Sequence, residues 1–301
     1  MAFNLYFAGS QAKEVNKFML ANGCAKLFSY LNDKKEIEEF IKNKKDNLLF
    51  IDSGAYSVAH AGKTVEIDDY ISYINSHADY CDAFAELDSI PYPVLNHETS
   101  IKSINESYAN YLYMHERVVC PEKLLYVFHF GEPQDKFLEI INTPINGKLP
   151  EYIGIGGRHG VSTKAQEKYF ERMFDIIKHS NNPNIKVHAF GMTVLDLLER
   201  YPFYSADSTT WLMLGINGNI ITRKNGIVSV AQKSLNDAQS FLNLDSKHQT
   251  EVIEELTKYG FTLNEVINDY KRRLIWNVQY FKEWADNYSY KPSEIVRNSL
   301  I

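Results

Sequence analysis

Eight short apolar runs, separated by segments of helical periodicity, constrain this chain more than any other feature. The runs are Phe3–Ala8, Ala25–Tyr30, Leu48–Ile51, Ala83–Leu87, Leu124–Phe130, Tyr152–Ile155, Lys186–Phe190 and Phe203–Ala206. Between them, Ile67, Tyr70, Ile71 and Ile74 recur at helical spacing, and so do the apolar positions of Glu36–Ile41, Ile101–Met114, Ala165–Ile177 and Val194–Leu198. Strand then helix, repeated eight times, predicts parallel strands joined by right-handed crossovers. Eight such units close most naturally into a (β/α)8 barrel of the TIM type, which typically takes about 250 residues. A doubly wound open sheet is the alternative. No Gly-x-Gly-x-x-Gly opens a helix, and Gly154-Ile155-Gly156-Gly157 lacks the downstream spacing of a dinucleotide site.

Residues 1–215 are therefore expected to form the barrel, and residues 216–301 an extension packed on it as one domain. In the extension, Asn219–Val230 reads as a β-hairpin with Asn225-Gly226 as a two-residue turn. Val252–Tyr259 and Leu263–Trp284 read as helices. Hydrophobic residues make up 45% of the 301, enough for a sizeable core. The 32 basic and 38 acidic residues leave a net charge of −6, so whole-chain charge does not signal a nucleic-acid partner, although a local basic patch is compatible with it. Cys24, Cys81 and Cys120 are odd in number and far apart, which favours reduced thiols in a cytoplasmic setting. No Cys-x-x-Cys pair offers a zinc site, so neither metal nor cofactor is expected. The start of the chain lacks a signal-peptide pattern, and no run nears the roughly 18 apolar residues of a membrane span.

Within Phe203–Trp211 the run meets Asp207, a carboxylate followed by three hydroxyl residues. Burying an unpaired carboxylate is expensive, so Asp207 either caps the next element or stands at a strand end for chemistry. Other strand ends carry comparable groups: Asp52-Ser53-Gly54-Ala55-Tyr56 after the third run, Asp88 after the fourth, His129-Phe130-Gly131-Glu132 at the fifth, Gly156-Gly157-Arg158 after the sixth and Gly191-Met192 after the seventh. In a barrel all of these share the C-terminal face, where barrel enzymes hold their sites. Asp52, Asp88 and Asp207 would then converge on one mouth, unless each merely caps a helix. Gly131, Gly156 and Gly157 would let backbone approach a flat ligand, and Tyr56 could stack on it. Convergent carboxylates suit cleavage at a sugar anomeric carbon.

These residues resemble, in order and over roughly Leu48 to Trp211, the queuine/archaeosine tRNA-guanine transglycosylase superfamily, and most closely its shorter phage-type members that act on DNA. Asp52-Ser53-Gly54-Ala55-Tyr56 is similar to the family's Asp-Ser-Gly-Gly-Tyr/Phe, and Asp88 with Pro91-Tyr92-Pro93 to its Asp-Glu-Cys-Thr-Pro-Tyr-Pro. Gly156-Gly157 resembles its base-contacting Gly-Gly, Phe190-Gly191 and Asp196-Leu197-Leu198 resemble the segment before its nucleophile, and Asp207 falls on that nucleophile. Ala55, Ser57 and the shortened Asp88 motif depart from the pattern, and Phe128-His129-Phe130-Gly131 stands where the family has Val-Gln-Gly-Gly. The family's Cys-x-Cys-x-x-Cys zinc module has no counterpart, which favours DNA over tRNA as the polymer.

The resemblance implies a pentosyltransferase that exchanges guanine in a polynucleotide for a free 7-deazaguanine base. It implies Asp207 as nucleophile, Asp52 as proton shuttle, Asp88 as reader of the base edge and Tyr56 as stacking partner. Ser53, Gly131, Gly156, Gly157 and Met192 complete the expected substrate contacts. Arg158, Lys164, Arg223 and Lys224, with Arg272 and Arg273, are the candidate phosphate track. His129, His159 and His188 read as core or rim residues rather than metal ligands. Two other functions stay open: a nucleoside or glycoside hydrolase using the same carboxylates, and a non-catalytic barrel that binds nucleic acid or a partner protein.

Overall fold

The structure, a computed structural model, describes residues 3–9, 12–91, 96–156, 161–192, 194–231 and 239–291. Eight parallel strands close into a (β/α)8 barrel in sequence order: β1 (Asn4–Ala8), β2 (Ala25–Ser29), β3 (Leu49–Asp52), β4 (Ala83–Ala85), β5 (Leu124–Phe128), β6 (Tyr152–Gly156), β7 (Lys186–Phe190) and β8 (Ser205–Ser208). Closure comes from β1 against β8, with Tyr6 beside Asp207 and Phe7 beside Ser208.

Two apolar layers explain why the strands read as unbroken apolar runs rather than alternating ones. One set of side chains fills the barrel: Tyr6, Ala8, Leu27, Phe50, Ala85, Leu125, Val127 and Tyr152. The alternate set, including Phe7, Phe28, Ile51, Phe84, Tyr126, Ile155 and Ala206, packs under the helices. This parity positions the polar residues. Phe50 faces in, so Asp52, two residues on, faces in at the mouth. Gly154 has a packing role inside the barrel: a Cβ there would sit 2.3 Å from the Phe190 ring on the next strand. Its side-chain hydrogen therefore admits Phe190, rather than a nucleotide.

The eighth strand lies two residues later than its apolar run suggested, over Ser205–Ser208. Phe203 instead packs between Phe170 and Phe174 in the helical layer. Asp207 is consequently a strand residue. The helix after it, Thr210–Ile216, has only seven residues, too short to cover its side of the barrel. The long helix Tyr270–Asn287 completes that cover. Its Trp276 indole donates to Ile221 O (2.7 Å), and Asn277 bridges Trp211 O, Asn219 O and the Ile221 amide. The single helix expected over Leu263–Trp284 is two, Leu263–Asn268 and Tyr270–Asn287. The break falls at Asp269, whose carboxylate accepts the Lys271 amide (2.9 Å) as the N-cap of the second.

The hairpin is present as β9 (Asn219–Thr222) and β10 (Gly226–Ser229), antiparallel. Its loop is three residues, 223–225, and not the two-residue Asn225-Gly226 turn. Thr222 pairs with Gly226, which takes φ +63. Trp284 and Tyr288, at the far end of the long helix, pack edge-on against Phe3, just ahead of β1. That end of the extension thus lies at the opposite face from the mouth. Among the described residues, no helix is long and apolar enough to cross a membrane.

Candidate active site

Asp207 enters the mouth from the middle of β8 and is 7% exposed. It caps nothing: the Thr210 amide is taken by Ser208 Oγ (2.9 Å). The Asp207 carboxylate accepts instead from the Gly191 amide (3.0 Å) and from His188 Nε2 (3.2 Å), both on Oδ1. Gly191 follows β7 directly and adopts φ +65, a conformation that L side chains rarely take. His188 faces inward on β7 and is fully buried. Burial, opposed by Asp207, holds it below the ordinary imidazole range, so the ring is neutral. Its Nδ1 meets Ser205 Oγ (2.7 Å), and Ser205 in turn meets the Tyr152 hydroxyl on β6.

The opposite wall is built from β3, β4 and β5. Asp52 ends β3, half-buried, and accepts the Gly54 amide (3.0 Å). Burial and then the neighbouring carboxylate of Asp88 push its carboxyl up to about 7, the Gly54 amide opposing and Asp207 adding to the rise. Asp52 thus feels both of the other aspartates, as groups sharing one mouth do. Ser53 donates to Asp88 Oδ1 (3.0 Å), and His129 Nε2 meets Asp88 Oδ2 (2.9 Å).

His129 is the residue sequence reasoning left open, and Glu132 is one it missed. Gly131, at φ +92, turns the chain so that the buried Glu132 folds back. Its Oε2 accepts the His129 amide (2.8 Å), and its Oε1 accepts from Ser103 (2.7 Å) and lies 3.4 Å from His129 Nδ1. Burial pulls the His129 ring down, but hydrogen bonds and charge from Asp88 and Glu132 outweigh it and raise the imidazole to about 10. The wall therefore carries an imidazolium between two carboxylates.

The remaining predicted residues are spread more widely. Gly156 ends β6 beside His129, whose Cδ2 would lie 3.5 Å from an added Cβ. Tyr56 is on the rim, 59% exposed and stacked on His60 with 4.0 Å between ring centroids. Met192 is 3% exposed in the layer under the helices, not in the mouth. Lys164 is exposed in the first turn of Thr163–His179, on the mouth side. Gly157 and Arg158, with Tyr92, Pro93 and His159, lie outside the described residues.

Four members of the expected phosphate track, Arg223, Lys224, Arg272 and Arg273, lie on the extension rather than at the mouth. Arg223 sits over Tyr259 (4.5 Å) and pairs with Glu255 (2.8 Å) and Glu283, on the extension toward the opposite face. Lys224 lies 3.8 Å from Glu251, and Arg272 lies 3.4 Å from Glu265. Arg273 is buried and donates to the carbonyls of Gly215, Val266 and Ile267, tying the short helices to the long one. Arginines on an amphipathic extension read alike from sequence whether they meet phosphate or glutamate.

His188 carried one legible signal, a polar residue at an inward position of an apolar strand. Its link to Asp207 depends on the β7–β8 register, which pairs His188 with Ser205. Among the described residues, no group of three or more His, Cys, Asp or Glu side chains is arranged to hold a metal ion. In comparison with known proteins, no family model matches this chain and no curated protein matches it.

Proposed function

We propose that this barrel is a transglycosylase that exchanges guanine in a polynucleotide, DNA in preference to tRNA, for a free 7-deazaguanine base. One observation carries the reading: two inward carboxylates reach the same mouth from β3 and β8 in different surroundings. Burial and the neighbouring Asp88 raise the Asp52 carboxyl to about 7, whereas Asp207 accepts N–H donors from His188 and Gly191. That is the division between acid and nucleophile used in retaining glycosyl transfer.

Asp207 attacks C1′ of a guanosine, and the C1′–N9 bond breaks as the aspartyl ester forms. Asp52 gives its proton to the departing guanine. The incoming deazaguanine then returns a proton to Asp52, its N9 takes C1′, and Asp207 leaves as carboxylate. Asp88, held by Ser53 and His129, faces the donors on the guanine edge, and Tyr56 at the rim offers a stacking surface to a base drawn out of its duplex.

A second reading, a nucleoside hydrolase or exchanger acting on monomers, is favoured by the pairing of Arg223, Lys224 and Arg272 with glutamates. Incubation with labelled guanine or 7-deazaguanine plus DNA, tRNA or free guanosine tests both. Label entering DNA, and lost with Asp207→Asn, is the expected result. Label entering free guanosine alone, or nucleoside consumed without added base, selects the second reading; no turnover in any arm overturns both.

A further inference from the structure

Both donors to Asp207 converge on Oδ1, and among the described residues none binds Oδ2. One donor is a backbone amide, fixed by the turn after β7. The other is His188, whose hydrogen-bond partners fix its tautomer by elimination. A carboxylate has no proton to give, so Nε2 must carry the hydrogen. In a neutral imidazole Nδ1 then accepts, which makes Ser205 the donor to it (2.7 Å). With its own proton committed, Ser205 accepts from Tyr152. Burial raises the Tyr152 hydroxyl well above its ordinary range, so that proton stays in place.

The surroundings of His188 keep the chain one-directional. Phe190 on its own strand (4.4 Å between centroids), Phe50 on β3 (4.8 Å), Tyr6 on β1 (6.0 Å) and Tyr152 on β6 ring the imidazole. The charged groups on the packed elements are Asp207 on β8, Asp52 at the end of β3, Lys186 on its own strand with Nζ over Tyr204, and, ahead of β4, Asp82, which accepts the Leu49 amide.

We infer that His188 is a positioning residue for the nucleophile, held by the Tyr152–Ser205 hydroxyl chain as a neutral Nε2–H donor that, with the Gly191 amide, anchors Asp207 through Oδ1 and presents Oδ2 to the anomeric carbon. The kinetic part of this inference rests on the exchange reading above; the tautomer part does not. The anchored oxygen keeps its hydrogen bonds as the ester forms and breaks, so the carboxylate is pre-aimed in both half-reactions.

The test compares the full chain with His188→Phe, His188→Gln and Ser205→Ala, each checked for an unchanged melting temperature within a few degrees. His188→Phe keeps the ring volume and removes the donor; His188→Gln restores an N–H near the Nε2 position. The expected loss in kcat is about 100-fold for the Phe variant and about tenfold for the Gln variant, with KM for the polynucleotide unchanged. The acidic limb of the rate–pH profile moves to higher pH in the Phe variant and returns toward wild type in the Gln variant. A Phe variant with a wild-type profile, or a Gln variant as impaired as Phe, overturns the inference.

Imidazole-nitrogen NMR on isotope-labelled protein reads the tautomer with no reaction running. The His188 signal, identified by its loss in the Gln variant, is expected as neutral Nε2–H at about pH 7 and still neutral at the ordinary imidazole value of 6.5. It is expected as a tautomer mixture in Ser205→Ala. An Nδ1–H form, or protonation near pH 6.5, overturns the inference even if the protein proves to exchange no base. The expected NMR result without turnover would overturn the exchange reading and leave the tautomer assignment standing.

Discussion

On the β7–β8 wall of the mouth a single carboxylate, Asp207, meets neutral donors: the Gly191 amide and an uncharged His188 backed by two hydroxyls. On the β3–β5 wall two carboxylates, Asp88 and Glu132, flank an imidazolium, His129, and a third, Asp52, is raised to about 7. Burial alone does not distinguish the walls, since Asp207 and Glu132 are both almost fully buried. The difference lies in how the charge is compensated. Neutral dipoles stabilise a carboxylate without neutralising it, leaving it available to attack. On the other wall, burial first and then the charge of Asp88 make ionisation of Asp52 costly. On the proposed exchange reading, the two halves of the double displacement would use those two environments.

The largest expected effect breaks the comparison outright. If the exchange proposal holds, Asp207→Asn is expected to lower kcat by about 10⁴-fold with the fold retained, and to abolish the covalent adduct expected in mass spectra of quenched wild-type reactions. A variant with measurable adduct would move the nucleophile to the other wall.

Asp52→Asn comes next, with a loss of about 10² to 10⁴-fold and disappearance of the rate–pH limb near 7. The same substitution has a stability signature of known sign. With the folded carboxyl raised from 3.8 to about 7, the folded chain binds more protons than the unfolded one between those values, so wild-type stability falls as pH rises across that window. The Asn variant should therefore melt above wild type most clearly at pH 8 and match it below about pH 4. Equal melting temperatures at pH 8 would mean that Asp52 is not strained by its neighbours.

His129→Gln sharpens the contrast by removing the cation from the acidic wall. A histidine raised from 6.5 to about 10 contributes stability fully below its unfolded value and loses it as pH rises through the folded one. The melting deficit of the Gln variant is expected to be greatest near pH 6 and to narrow toward pH 10, with activity down about tenfold through a loosened Asp88. A deficit that does not vary with pH would mean the ring is neutral and merely packed. The smallest effect is expected for Arg223→Ala. Its guanidinium serves the extension, so melting should fall by about 1 kcal/mol equivalent or less while exchange is unchanged; a selective loss of polynucleotide affinity would return that face to the substrate path.

Much of this was legible from residue order. The eight strands and five of the helical segments between them follow from the spacing of apolar residues, and Asp52, Asp88 and Asp207 stand out because each interrupts or follows an apolar run. What was not legible involved partners remote in the chain. Asp269 looked like a helix residue because a capping carboxylate and a surface carboxylate are the same letter. Gly154 had no legible reason inside its strand because that reason, the Phe190 ring, lies 36 residues later. The roles of His188 and His129 depend on which strands adjoin.

The amino-acid order by itself determined the alternation of strands and helices, hence the barrel and the face on which three aspartates gather, because hydrophobic periodicity and strand parity are local properties. Only the tertiary structure decided that Asp52 is buried beside Asp88 while Asp207 accepts from His188 and Gly191, that burial lowers His188 while two carboxylates raise His129, and that Arg223 turns away from the mouth. Those outcomes depend on burial and on charges brought together across strands, and an electrostatic environment is a property of neighbours in space.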